Sequence, residues 1–450
     1  MIPFEVVRDP LWNNIRLEPE ALALLDTPAV QRLRYVRQLG HAFLVYPGAT
    51  HTRFEHALGA YHLMRRALAH LDESGHKIDA GDALRLRCAA LLHDIGHYPF
   101  SHALEEAGLP GHETLAERHL TRDELAQALE RTGVPPVKLL ALIRGQAKEP
   151  LTGLVSGSVD VDKLDYLSRD ALMCGVPYGV IDVERLLSSL TLAAPGGEGR
   201  GSRLALALHE KGLAALESLV FAKYQMYRNV YWHHAVRAAT SMFKRLVRRA
   251  IADSRLAPDA VAVATDDGLI HELSADDPTG LARRLRERRL AKRALDLPAT
   301  ELPSDVPAWA GTDPDLVARV EDRLAQELGL AAGELLLDFP AKENMLGIDL
   351  PLVRRDGTVV PLAGDAWLGL PRVAGELYRS ARRLRVFTLR GTPQLAASDV
   401  IDLVMLPREE VTARLDGERR LLSAAGKAPA SVGSPRRPGP RPNRSGRGSR

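Results

Sequence analysis

The sequence predicts a mainly α-helical protein with one small β-hairpin and an α+β lobe toward its C-terminal end. Three observations carry this expectation. Apolar residues return every three or four positions through most of residues 21–249, the period of a helix with one buried face. A glycine-rich break, Ala194-Pro195-Gly196-Gly197-Glu198-Gly199-Arg200-Gly201-Ser202, lies between the short runs Leu190-Thr191-Leu192 and Leu204-Ala205-Leu206, as a hairpin requires. Proline and acidic residues collect over 295–314, and beyond them short β-forming runs alternate with helical patterns. The expected division is a helical core over 1–294, the lobe over 295–425 and a basic tail over 426–450.

Along the chain, His56-Ala57-Leu58-Gly59-Ala60-Tyr61-His62-Leu63-Met64 predicts one core helix. Residues 82–97, with Leu84, Cys88, Leu91, Leu92 and Ile95 in register, predict a second. Gly108-Leu109-Pro110-Gly111 breaks the chain, and a helix opens at His112 and runs through Leu120. Thr132-Gly133 is another break, and Pro135-Pro136 starts the next helix. After the hairpin a long helix resumes at about Lys211. The basic run 283–293, with Leu285 and Leu290 among its cations, reads as a solvated amphipathic helix in preference to a phosphate or nucleic-acid contact. In the lobe, Asp313 is placed to cap a helix with Pro314 at its first position, and residues 334–337, 358–360 and 384–388 are candidate strands.

Composition narrows the function classes. The chain has 450 residues, 45% apolar and 26% charged, ordinary for a globular protein. No apolar run reaches the roughly 20 residues that cross a bilayer. Met1-Ile2-Pro3-Phe4-Glu5 lacks the basic and apolar regions of a secretory signal, so a cytoplasmic location is expected. The two cysteines, Cys88 and Cys174, form no CxxC-type pair, and Cys88, in an apolar run, reads as a buried thiol. The net charge is +3, yet residues 427–450 hold seven cations and no acid, so the body before them is net negative. That tail is too polar to order itself, and it is the sole support for a nucleic-acid partner.

Several residues are placed for chemistry. His93-Asp94-Ile95-Gly96-His97 closes an apolar segment, and a helix there would set His97 one turn after His93. Asp162, Tyr166 and Asp170 recur every four residues, one stripe of a helix facing one pocket. Asp165 and Arg169 form an i,i+4 pair on a neighbouring stripe, read first as a structural ion pair. His112 follows Pro110-Gly111 at a helix start, where free N–H groups and the helix dipole favour an anion. His62, His70, His76, His119 and His271 have no ligand partners at suitable spacing and read as satisfied or solvated imidazoles.

A series of motifs then runs in order: Asp26-Thr27-Pro28, Gln31-Arg32-Leu33-Arg34-Tyr35, Gln38-Leu39-Gly40, Tyr46-Pro47-Gly48-Ala49 and His51-Thr52-Arg53-Phe54-Glu55-His56. Leu92-His93-Asp94-Ile95-Gly96-His97, Pro99-Phe100-Ser101-His102, His112-Glu113 and Asp160-Val161-Asp162-Lys163-Leu164-Asp165-Tyr166 follow. In these the chain resembles the HD-domain dNTP triphosphohydrolases, the family of the eukaryotic SAM-and-HD-domain enzyme and its bacterial relatives. The resemblance covers roughly residues 5–245 and fades into the lobe. It implies that His56, His93, Asp94 and Asp162 hold one divalent metal ion. Two imidazoles and two carboxylates suit Mn²⁺, Fe²⁺, Co²⁺, Zn²⁺ or Mg²⁺ and leave positions for water and a phosphate oxygen.

The resemblance also places Arg53, His97, His102, His112 and Lys163 around the phosphates, with Glu105 near the leaving oxygen. Gln38, Leu39, Tyr166, Asp170 and Tyr231 would form a sugar pocket too tight for a ribose 2′-hydroxyl. Lys223 and Arg228 are further substrate contacts from the less surely aligned segment around Tyr227-Arg228-Asn229-Val230-Tyr231-Trp232-His233-His234, in which Trp232 reads as a core aromatic. Asp26, Gln31 and Arg34 match guanine recognition at an activating nucleotide site. The lysine that completes such a site in the eukaryotic enzyme is not matched in Glu5-Val6-Val7. Other departures are Asp9-Pro10-Leu11-Trp12 where the family commonly has Asp-Pro-Ile-His-Gly and Glu105 in place of an aspartate, and a SAM domain ahead of the core is not expected.

The implied function is metal-dependent hydrolysis of a dNTP at its α-phosphorus, giving a deoxynucleoside and triphosphate. His97, His102, Glu105 and His112 would be the catalytic group, and His102 or Glu105 would protonate the departing O5′. One alternative is another HD phosphohydrolase, for instance one releasing phosphate from nucleoside monophosphates. A second is a non-catalytic nucleotide-sensing or nucleic-acid-binding module, against which the complete ligand set argues. The resemblance further implies a homo-oligomer.

Overall fold

The computed structural model describes residues 4–194, 203–303, 305–341, 345–362, 370–391, 393 and 395–422. The glycine-rich loop expected at 195–202 and the tail at 426–450 lie outside the described residues.

A capping box opens the central helix Arg53–Glu73: the Thr52 N–H donates to Glu55 Oε2 at 2.6 Å, and the Thr52 side chain caps the Glu55 backbone in return. This helix packs against Ala80–Leu92 and Val161–Cys174, burying Leu63, Met64, Ala67, Leu91, Leu92, Leu164 and Leu167. Each large aliphatic side chain so buried contributes about 1.5–3 kcal/mol. Gly59 sets how closely the helices meet, because a Cβ there would lie 1.8 Å from Asp165 Oδ1. The helices His112–Leu120, Asp123–Thr132 and Pro136–Ile143 cover one side of this trio. Their ends follow the expected breaks, with Gly133 closing the second at φ 73° and Pro136 in the first turn of the third.

The second core helix is shorter than expected. It ends at Leu92, with His93 at its C-cap, and the chain continues through tight turns. His97 is therefore not one helical turn after His93. The basic run is corrected as well. Only Leu281–Arg286 is helical, Arg288 turns the chain at φ 53°, and residues from Lys292 onward form a strand. Leu285 and Leu290 pack in the same apolar cluster, the first from this short helix and the second from the segment after the turn, while Leu295 beyond the run packs with the lobe.

Three small sheets complete the fold. β1 (Glu5–Asp9) and β2 (Asn13–Leu17) form an antiparallel hairpin absent from the sequence expectation. Its turn is closed by Asp9 Oδ1, which accepts the Leu11 and Trp12 N–H groups at 2.9 and 2.7 Å. β3 (Leu190–Ala193) and β4 (Ala205–His209) are the expected hairpin. They belong to a larger sheet, because β4 pairs in parallel with β7 (Pro351–Val353), which pairs in turn with β8 (Val359–Pro361). In the lobe, β5 (Lys292–Pro298) and β6 (Leu335–Asp338) flank β9 (Arg383–Thr388). Asp313 caps Pro314–Glu327 as expected, its Oδ1 accepting the Leu316 N–H at 3.0 Å. The long helix Leu213–Met226 passes into a π-helical turn, Tyr227–Tyr231, before His234–Ala252 continues beside the lobe.

Candidate functional site

The first turns of two helices and the end of a third meet at one point. Arg53 and His56 stand in the first turn of Arg53–Glu73, His93 and Asp94 follow Leu92, and Asp162 lies in the first turn of Val161–Cys174, capped by Asp160. The ligand atoms of His56, His93 and Asp162 all lie within 4.8 Å of one another. His56 Nε2 is 3.1 Å from His93 Nε2 and 3.1 Å from Asp162 Oδ1, and His93 Nε2 is 3.6 Å from that same oxygen. The Asp94 oxygens approach the two Nε2 atoms at 3.4 and 3.6 Å.

The ring hydrogens decide what these contacts are. His56 Nδ1–H donates to Asp165 Oδ2 at 2.7 Å and His93 Nδ1–H to the Ala90 carbonyl at 2.9 Å, both pure acceptors. Each Nε2 therefore presents a lone pair, and lone pairs from four side chains face one another with no hydrogen of their own between them. Such a cluster requires a cation or a captured proton. Burial disfavours charge on His56, but Asp162, Asp165 and Asp94 outweigh it and raise its pKa to about 10. Ligands about 2.1 Å from one ion stand about 3.0–3.4 Å apart, close to the separations found, so the residues fit a divalent metal.

Arg53 pairs with Asp94 and donates to Ser101 Oγ at 2.7 Å. Burial opposes ionisation of Asp94, yet Arg53, His93 and His97 hold it well below the ordinary carboxylate range. Ser101 and Phe100 both take left-handed φ, 58° and 57°. The strain is held by Asp266, which accepts the Phe100 N–H at 2.8 Å, and by the Ser101 hydroxyl, which bonds the Gln38 carbonyl at 2.7 Å.

A second cluster lies beside the first. Gly96 lets the His93–His97 turn lie against the helix His112–Leu120, because a Cβ there would sit 2.0 Å from the His112 carbonyl oxygen. The His97 and His112 rings stack at 3.9 Å. Glu105 stands between two imidazoles, accepting from His112 Nδ1–H at 2.8 Å and His102 Nδ1–H at 3.2 Å. Burial would raise the Glu105 pKa, but His102 and His112 hold it far below the usual range, so it is ionised. His97 Nε2–H points to Asp94 at 3.2 Å, which leaves its buried Nδ1 without a hydrogen-bond partner. Burial first, then Arg53 and His112, keep this ring neutral.

Both clusters open on one cavity of about 610 Å³. Its wall includes Gln38, Leu39, Arg53, His93, Asp94, His97, His102, Glu105, His112, Asp162, Lys163, Tyr166, Asp170 and Tyr231, and His56 lies fully buried behind it. Lys163 Nζ is held by Asp160 Oδ2 at 2.5 Å and the Gly157 carbonyl at 2.9 Å. Asp170 accepts the Tyr231 hydroxyl at 2.7 Å on one oxygen and contacts His51 Nε2 at 2.7 Å on the other.

Lys223 and Arg228 are not among the lining residues. For Arg228 the π turn is the reason: it carries Tyr227 and Tyr231 to the cavity and turns Arg228 outward, where its Nη1 donates to the Tyr224 hydroxyl at 2.7 Å; Lys223 lies before the turn, buried in the last turn of Leu213–Met226. Asp26, Gln31 and Arg34 also lie away from the cavity. Arg34 Nε–H donates to Gln31 Oε1 at 2.7 Å, and its guanidinium lies 3.6 Å over the Phe54 ring. Residues that sequence reasoning missed are Tyr227, Trp232 and Arg237 on the cavity wall and His51 behind Asp170. His51 stood in a motif already singled out, and only its partner, 119 residues away, gives it a place in the site.

Comparison with known proteins shows the family to which the chain belongs. The HD domain matches residues 53–170 and the HD associated region matches 181–403. The uncharacterized protein MJ1154 of Methanocaldococcus jannaschii is 33% identical over 366 residues, covering 80% of this chain and 75% of that protein. The deoxynucleoside triphosphate triphosphohydrolase SAMHD1 of Homo sapiens is 27% identical over 267 residues, 51% of this chain and 42% of that one. A phosphohydrolase crystal structure from Bacteroides thetaiotaomicron shares the fold with a TM-score of 0.68 at 24% identity, covering 86% of this chain and 100% of the other. No helix among the described residues is long and apolar enough to cross a membrane.

Proposed function

The chain belongs to the HD-domain family of phosphohydrolases, and on that premise we propose that it is a metal-dependent dNTP triphosphohydrolase. One observation carries the reading: the lone-pair cluster, the Glu105–histidine cluster and the Tyr231–Asp170 pair line a single cavity. His56, His93, Asp94 and Asp162 would hold the ion. When bound, it supplies Lewis acidity toward a phosphoryl oxygen and makes an adjacent water more acidic.

The side chains divide the remaining work. Arg53 and Lys163 set positive charge along the triphosphate, and His112, the first residue of its helix, adds unpaired backbone N–H groups there. His97, kept neutral and turned with its Nε2–H toward Asp94, holds that carboxylate beside the ion. Glu105, ionised and bonded to both Nδ1–H groups, fixes the tautomers of His102 and His112, so protonation at Nε2 makes either ring a donor to O5′. Glu105 is thus the orienting carboxylate in this reading and the imidazoles are the acids. Gln38, Leu39, Tyr166 and the Tyr231–Asp170 pair would enclose the deoxyribose. The test is to incubate purified protein with each dNTP and Mn²⁺ and separate the products. Tripolyphosphate with deoxynucleoside is expected, whereas inorganic phosphate released from nucleoside monophosphates, without tripolyphosphate, would assign the site to a different phosphohydrolase.

A further inference from the structure

We propose that the N-terminal hairpin is the outer support of the metal centre, with Trp12 as a positioning residue for His56. The inference rests on the metal reading above and extends it to a part of the chain that touches neither the ion's ligand atoms nor the cavity.

Asp165 is the junction. Its Oδ2 accepts from His56 Nδ1–H at 2.7 Å and from Arg169 Nε–H at 2.9 Å, and its Oδ1 accepts from Arg169 Nη2–H at 2.9 Å and from Trp12 Nε1–H at 2.5 Å. Four donors fill the lone-pair sites of one carboxylate. Arg169 is fixed in turn by Nη1–H on Asp9 Oδ2 at 2.8 Å, and the other Asp9 oxygen closes the hairpin turn. His56, Asp165 and Arg169 are each 0% exposed and Asp9 3%, so bulk water has little part in these bonds. Gly59 leaves the space in which they form.

A plain Asp165–Arg169 ion pair within one helix accounts for two of the four donors. The other two come from opposite directions: His56, a proposed ligand, and Trp12, in the turn between β1 and β2. The hairpin turn, the carboxylate and the imidazole therefore make one connected unit that aims the His56 Nε2 lone pair. Without the indole N–H, Asp165 Oδ1 loses a donor and the carboxylate turns toward Arg169, relaxing its hold on His56. Partners of this kind are worth about 10–100-fold in metal affinity.

Metal-free full-length protein and Trp12→Phe, which keeps the aromatic body, would be titrated with Co²⁺ by visible absorption and with Mn²⁺ by electron paramagnetic resonance. Thermal unfolding of each metal-free protein is followed in parallel. Trp12→Phe should bind about tenfold or more weakly, with a changed Co²⁺ spectrum. Asn14→Ala, an exposed change on the same hairpin, should bind as the parent does. Equal affinity and spectrum for Trp12→Phe and parent would overturn the role of Trp12, as would equal weakening by Asn14→Ala. If Trp12→Phe does not fold, Asp9→Asn takes its place, with the same expectation and the same contrary result. A parent protein that binds neither ion would instead overturn the metal reading itself.

Discussion

The two histidine–carboxylate clusters use the same residue types within one cavity, yet their chemistry differs because their hydrogens are placed differently. In His56, His93 and Asp162 the ring hydrogens point outward to Asp165 and Ala90, so lone pairs meet in the middle. In His97, His102, Glu105 and His112 the carboxylate is in the middle and two ring hydrogens point at it. The first arrangement asks for a cation from outside, whereas in the second Glu105 is satisfied by two ring hydrogens and the far nitrogens of His102 and His112 remain for moving protons. Proximity of potential ligands is therefore a weaker criterion for a metal than the direction of the second ring nitrogen.

Substitutions can break this contrast. Asp162→Ala should have the largest effect, losing bound metal by elemental analysis together with hydrolysis, a fall of at least about 10³-fold. Because Asp162 is partly exposed, circular dichroism should remain that of the parent. Glu105→Gln should lower kcat by about 10²–10⁴-fold while metal content stays at one equivalent. Loss of the ion in Glu105→Gln would merge the two clusters into one metal site. On the proposed reading, Tyr231→Phe should raise KM for dNTP by roughly tenfold, for the loss of its hydrogen bond to Asp170, whereas Arg228→Ala should leave kcat/KM within about twofold. A large effect of Arg228→Ala would mean that the π turn rearranges when substrate binds.

An effect on stability alone comes from a carboxylate with poorer support than Glu105. Glu321, buried in the lobe, is pushed up to about 7 by burial, against Arg245 and the Leu337 N–H. Its folded pKa is above the ordinary 4.5, so the stability it contributes is fully present below pH 4.5 and is lost as pH rises through about 7. Urea unfolding from pH 4 to 8 should show Glu321→Gln flattening that loss, by about 1–3 kcal/mol.

The helical core was legible in the sequence because long amphipathic segments and Gly-Pro breaks are local signals, and the ends of His112–Leu120 fell where they were read. The stripe of Asp162, Tyr166 and Asp170 was legible for the same reason, since helical geometry carries all three to one wall. The N-terminal hairpin was not. Its strands have five residues each, and its turn depends on a side chain, Asp9, accepting backbone N–H groups. The wider turn at 227–231 could not be read from spacing, because it shifts register by one residue and exchanges Arg228 for Tyr227 at the wall. Asp165 was assigned to an ion pair that it does make, but the donors arriving from Trp12 and His56 depend on tertiary packing.

The pairing of β4 with β7 joins residues 144 positions apart, Leu208 and Leu352. A catalytic fragment trimmed before residue 295 would expose a bare row of peptide groups along β4, a template for other chains. Such a fragment should come out of an expression host as self-associated material, whatever its active-site residues are able to do.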